Sequence, residues 1–235
     1  LVLWNNWRNI SSVWFSLFAA SLALWAVTII GFRNSTELDL AALFLRLSYG
    51  VAACIAASFF VFIYTFPEPR PFQSYTKKIL QGSTLGVVLL SLIPNMLIIS
   101  VETAASTHIG TQNPIGFWIF STYFIFYFFG ALSILLARWR NTTGETKKHI
   151  GFIIWSVLTA GLLGTFFNLV LPSPYFVEWR FTWLGPIFTA IIVVTAAYAM
   201  AKHKLLNVRI LSATLLTITI TLVLFAQTIF SQSQE

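Results

Sequence analysis

Apolar residues in this chain do not alternate with polar ones; they run together in long blocks separated by short polar connections. Seven blocks, at roughly 11–32, 40–66, 79–101, 115–137, 150–172, 183–201 and 210–230, are each long enough to cross a bilayer core as a helix. None shows the roughly ten-residue alternation of a barrel strand. Helices also satisfy their own backbone groups in lipid. The pattern therefore predicts an all-α fold: a polytopic transmembrane helical bundle with about seven helices in this chain.

The connections between blocks carry the charges, and they carry them unevenly. One set of alternate connections holds Arg8, then Arg70, Lys77 and Lys78, then Arg138, Arg140, Lys147 and Lys148, then Lys202, Lys204 and Arg209. The other set holds only Arg33 and Arg180, with Glu37, Asp39, Glu102, Glu178 and Glu235 on the same side. Short basic loops stay in the cytoplasm. The expected topology has residue 1 inside and residue 235 outside. Residues 1–209 form a multi-helix membrane domain, and 210–235 add a helix and the start of an extracytoplasmic connection. The start at LVLW, without Met, and the end at SQSQE lead us to expect a piece of a longer protein.

Composition agrees with a lipid environment. Of 235 residues, 57% are hydrophobic and 9% charged, against about 25% charged in soluble domains. The net charge of +7 would suggest nucleic acid in a soluble protein. Here the basic loops are short and face a membrane, so they read as topology signals and anionic headgroup contacts, with no nucleic-acid partner. The lone Cys54 excludes an internal disulfide and a Cys-rich metal site.

Catalytic patterns do not emerge. All six lysines lie at cytoplasmic helix ends, which leaves none for an intramembrane Schiff base. His108, His149 and His203 are far apart and near helix ends. No paired Asp, Ser/His or His-Glu spacing occurs inside a block, and no Gly-rich phosphate loop appears. The expectation is no catalytic domain in this chain, no metal and no cofactor.

A few polar features interrupt the apolar blocks. Arg46 lies about two turns from Asp39 on one helical face; it either snorkels to the outer interface or forms a buried ion pair. Pro94 and Asn95 predict a kink in the third span, as a structural bend, a hinge or the floor of a pocket. Asn168 precedes Pro172 at the outer end of the fifth span and serves as interhelical glue or ligand contact. The outer loop SPYFVEWRFTW offers an aromatic belt or a ligand-receiving rim, with Trp179, Glu178 and Arg180 in it and Glu102 and His108 on the same side. Gly185-Pro186 sets the start of the sixth span, since proline loses little in a first helical turn. Lys202, His203 and Lys204 mark its cytoplasmic exit.

Taken in order, these pieces resemble a known family. NISSVWFSLFAASLALWAV, FFVFIYTFPEPR, ARWRNTTGETKKHIGFIIW, GTFFNLVLP and WLGPIFTAIIVVTAAYAMAKHKLLNVRI follow one another as in the N-terminal seven-transmembrane sensory region of bacterial sensor histidine kinases. The resemblance covers roughly residues 2–210. It implies that the family's first helix precedes residue 1, and that a signal at the membrane controls a cytoplasmic kinase domain outside this chain. It implies a homodimer of the full-length protein, in a bacterial inner (cytoplasmic) membrane. His203, flanked by lysines, lacks the acidic helix context of a phosphoacceptor.

The reading that follows is a receptor module of a two-component system, in contact with the lipid bilayer and sensing a small apolar or peptide ligand. Its expected site draws on Arg46, Asn95, Glu102, Asn168, Trp179 and Arg180. A small-solute transporter is the alternative, but broken spans in paired positions are missing. A membrane scaffold subunit is a third.

Overall fold

The computed structural model describes residues 10–66, 73–104, 107–188, 190, 191 and 194. The expected span at 210–230, the exit residues Lys202, His203 and Lys204, and most of the span at 183–201 lie outside the described residues.

Among the described residues, three helices are long and apolar enough to cross a membrane: α1 (Ile10–Asn34), α2 (Leu38–Thr65) and α4 (Pro114–Asn141). Between α2 and α4 run α3 (Ser74–Leu92) and two strands, β1 (Ile98–Ala104) and β2 (Thr107–Gln112). After α4 come α5 (Gly144–Thr165) and a π-helical turn, Phe166–Val170. Residues 184–188 are helical again. The described residues thus show a largely helical bundle with five α-helices of defined bounds, rather than a full set of seven.

Local chemistry explains the boundaries. Only Ser35, Thr36 and Glu37 join α1 to α2, so the two helices must pack as antiparallel neighbours. Arg33 sits in the last turn of α1 and Asp39 in the first turn of α2, each with the sign its helix end favours. At the head of α4, the Asn113 carboxamide oxygen accepts from the Ile115 and Gly116 amides, and Pro114 takes the first turn. Gly144, with φ +69°, turns the chain from α4 into α5.

The third predicted span, 79–101, is corrected. Pro94 does not kink a helix; α3 stops at Leu92. Pro94 and Asn95 occupy a tight turn in which the Met96 amide donates to the Ile93 carbonyl and Asn95 takes φ 65°. Proline followed by a left-handed Asn is turn chemistry. The β-branched residues beyond it then enter a hairpin. Val101 faces Gly110, Glu102 faces Ile109 and Thr103 faces His108, with a bulge between Ile98 and Ser100. The fifth predicted span, 150–172, is also modified: its α-helical part ends at Thr165 and its last turn widens to π geometry.

α2 is the hub. It packs against α1, α3, α4 and the hairpin. Its buried Ala41, Ala42, Ala53, Ala56 and Ala57 are small, which lets neighbouring backbones approach. Two buried apolar clusters fill the bundle. One runs from the hairpin along most of α2 and joins it to Phe32 of α1, α3, α4, β1 and Trp179. The other, toward the end away from the hairpin, joins Phe15 and Phe18 of α1 to Phe62, Leu132, Leu135, Ile150 and Ile154. Hydroxyls tie the layers as well. Tyr127 meets Ser83 at 2.8 Å, Tyr123 meets Thr84 at 2.8 Å, and the Tyr123 hydroxyl donates to the Ala53 carbonyl at 3.0 Å.

Candidate functional site

Helix polarity sends the last turns of α1, α3 and α5, and the first turns of α2 and α4, toward one end of the bundle, where the hairpin lies. A cap forms there. The His108 ring contacts Phe32 and its Nε2 bonds the Ser35 carbonyl at 2.7 Å. Phe32 in turn packs against Trp179. Gly110 of β2 stands so close to Leu45 and Trp179 that a Cβ there would lie 2.5 Å from the leucine. Gln112 is buried and donates to the Tyr49 hydroxyl. The cap is therefore hydrogen-bonded to the α1–α2 connection and to α2, and packed on both helices.

Below it lies an apolar cavity of about 110 Å³. Its wall comes from α1 (Leu22, Trp25), α2 (Tyr49, Ala52), α4 (Phe120, Phe124), α5 (Gly161, Gly164), the π turn (Asn168) and the loop after it (Trp179, Thr182). A Cβ built at Gly164 meets nothing within 4 Å, so among the described residues this face of α5 is open.

Two polar atoms at the cavity wall stand out. Trp179 is 3% exposed, and its indole Nε1 is buried without a hydrogen-bond partner among the described residues. Asn168 donates from Nδ2 to the Gly164 carbonyl at 3.2 Å, which fixes the carboxamide orientation. Its Oδ1 is buried and unpartnered. The π turn places Asn168 there, and π turns recur at functional sites.

The expected site residues separate into two groups. Asn168 and Trp179 share the cavity. Gly185 packs directly on Asn168 and Trp25: a Cβ there would fall 1.9 Å from Asn168 Nδ2 and 2.6 Å from Trp25. Gly185 and Pro186 lie in the first turn of the helical segment at 184–188. Arg180, next to Trp179, is exposed and paired with Glu178 at 2.9 Å. The guanidinium, through its side-chain hydrogen bonds and then the Arg180 amide, holds the Glu178 carboxyl below its usual range. Arg46, Pro94, Asn95 and Glu102 do not line the cavity. Asn95, Pro94 and Glu102 are exposed at the cap, and Asn95 accepts from Asn113 through its carbonyl. Arg46 is half-buried, and of its two readings the ion pair with Asp39 is not formed; its Nε is buried without a partner among the described residues.

Several contributors escaped the sequence reading. Tyr49 and Gln112 sit 63 positions apart and no local pattern links them. Gly161 and Gly164, at a three-residue spacing on one face of α5, were a legible sign of an open or closely packed helix surface. At the opposite end, Arg138 reads as one more positive-inside charge. In space it forks onto the Ile63 and Tyr64 carbonyls at 3.0 and 2.7 Å, at the last turn of α2.

The family model described as the N-terminal 7TM region of histidine kinase matches residues 1–209. No curated protein matches the chain, and no solved structure does.

Proposed function

The chain belongs to the family of N-terminal seven-transmembrane regions of histidine kinases, and we propose that it receives its signal at the cavity beneath the hairpin cap. It is a membrane sensory module of a sensor kinase. The reading adds that a small apolar ligand enters from the hairpin side and biases two arrangements of the bundle. The change passes along α2 and α5 to the basic end, and from there to a cytoplasmic kinase domain of a dimeric full-length protein.

One observation carries the reading: four helices, the π turn and the cap loop all contribute wall to a single cavity. A ligand that fits one packing of those elements better than another shifts the equilibrium by that difference in affinity. A volume of about 110 Å³ suits a small molecule and not a peptide. The positive-inside pattern supports a cytoplasmic basic end, with Arg138, Arg140, Lys147 and Lys148 there. An open hairpin has unpaired edges that hydrocarbon does not tolerate, which supports placing the cap at the outer interface.

The test uses the full-length protein in vesicles with ATP, reading phospho-histidine. Gly164→Leu fills the cavity from its open face. It is expected to change the autophosphorylation level severalfold and to remove its response to stimulus. A folded Gly164→Leu protein with wild-type level and response would sink the proposal.

A further inference from the structure

We infer that Arg138 is a latch between α4 and the end of α2, and that its release from the α2 carbonyls is the step by which a change in the bundle leaves it at the basic end. The inference rests on the reading of this chain as a sensory module with its input at the cavity, and it names the residue that passes the input on.

The sequence after α2 makes such a residue necessary. In a helix each carbonyl accepts from the amide four residues further on. The Phe66 amide closes the ladder by donating to the Phe62 carbonyl at 2.9 Å. The next donors would be Pro67 for Ile63 and Pro69 for Thr65, and proline has no N–H to give. The covalent chain therefore strands two carbonyls at the end of α2. Ile63 and Thr65 are both 0% exposed, so bulk water does not replace the missing amides. Side chains from two other helices do. Arg138 of α4 donates from one nitrogen to the Ile63 carbonyl at 3.0 Å and from another to the Tyr64 carbonyl at 2.7 Å. Ser11 of α1 donates to the Thr65 carbonyl at 2.7 Å.

The helices joined by the arginine are also two of those that flank the cavity. Phe120, Phe124 and Phe128 of α4 stand on its wall and stack in series, with centroids 6.1 and 6.4 Å apart. Leu132 and Leu135, both buried, lie between them and Arg138 along α4, which is about 15 Å beyond Phe128. α2 contributes Ala52, Ala56 and Phe59 to the wall, one turn or more before Ile63. A shift of α4 against α2 at the cavity thus reaches the fork through packed helices. The planar guanidinium makes its two bonds in one fixed geometry, and their loss leaves buried carbonyls unpaired. Contacts of this kind turn a small displacement into two discrete states.

The experiment uses the full-length protein in vesicles with ATP and reads phospho-histidine, with Gly164→Leu as the change made at the cavity. Arg138→Ala is expected to shift the phosphorylation level severalfold, within the usual range of coupling between sites, and to make it indifferent to Gly164→Leu. Ser11→Ala is the control: it strands the Thr65 carbonyl at the same helix end but leaves α4 tied to α2. It is expected to lower the thermal midpoint and to keep the response to Gly164→Leu. Should Arg138→Ala not fold, Arg138→Lys is read in the same way, because it keeps the cation and loses the fork. A folded Arg138 variant with wild-type level and wild-type response to Gly164→Leu would overturn the latch. So would loss of that response in Ser11→Ala, since any fraying of α2 would then suffice. A Gly164→Leu protein that behaves as wild type, while Arg138→Ala still shifts the level, removes the cavity as the input and keeps the latch.

Discussion

At Gly185 the chain leaves no room for a side chain. Its sequence context, a glycine before a proline at the start of an apolar run, reads as a helix start, and the glycine itself looks incidental. In space the residue is the point where the segment at 184–188 touches the π turn and α1, because Asn168 and Trp25 occupy the volume a Cβ needs. Gly185→Ala is therefore expected to lower stability by about 1–3 kcal/mol, the usual cost of overpacking. Thermal unfolding of the detergent-solubilised chain measures it, and a wild-type midpoint would show that the neighbours move aside without cost. Val177 is the complementary case. A β-branched residue at φ 51° is strained, and it sits two positions before the buried Trp179. The loop holds that conformation through the Val177 amide, which donates to the Ser173 carbonyl at 2.9 Å, and the Glu178 amide, which donates to the Leu171 carbonyl at 2.8 Å. The Glu178–Arg180 pair lies on the exposed side of this loop, where screening leaves such pairs little weight.

The helices end where side chains from elsewhere meet their unpaired carbonyls. The last carbonyls of a helix have no partner within it. At the end of α2 they are met by Arg138, through the Ile63 and Tyr64 carbonyls, and by the Ser11 hydroxyl, which donates to the Thr65 carbonyl at 2.7 Å. A cation there also suits the negative end of the helix dipole. The arginine thus fastens α4 to α2 at the basic end of the bundle. Arg138→Ala is expected to cost about 1.5–3 kcal/mol, the range for hydrogen bonds to a charged group. Arg138→Lys should recover only part of this, because an ammonium cannot reproduce the fork. Chemical denaturation of the two variants checks the order. Equal stability of Arg138→Ala and wild type would mean the fork is not formed in lipid.

Across the whole molecule, the two ends differ in kind. One is basic and closed by Arg138; the other carries the hairpin, the aromatic loop and the cavity. The positive-inside reading assigns these ends to the cytoplasm and the exterior, which cysteine labelling can check. With Cys54→Ala as background, Thr103→Cys in the exposed hairpin is expected to react with an impermeant thiol reagent on intact cells. Thr143→Cys, exposed at the turn between α4 and α5, should react only after the membrane is opened. The reverse pattern would invert the topology and move the cavity to the cytoplasmic side. The membrane bundle was legible in the sequence because hydropathy is a sum over neighbours in the chain. The hairpin was not, because Met96–Val101 is as apolar as the helix before it. Only the Pro94-Asn95 turn signal and the β-branched residues beyond it argued otherwise, and length outweighed them.

What the sequence determined by itself was therefore the local and the additive. It specified membrane insertion, the charge asymmetry between the two sides, the long apolar helices, and a succession of motifs sufficient to place the chain in its family. The tertiary structure decided what depends on residues far apart. It turned Ile98–Gln112 into a cap, left Arg46 without Asp39, and set Arg138 on α2. It also put Trp179 and Asn168 on one cavity wall, each with a polar atom unpaired among the described residues. The physical reason is that insertion follows from free energies summed residue by residue. Whether a buried donor finds an acceptor instead depends on which helix faces which, and no local pattern carries that information.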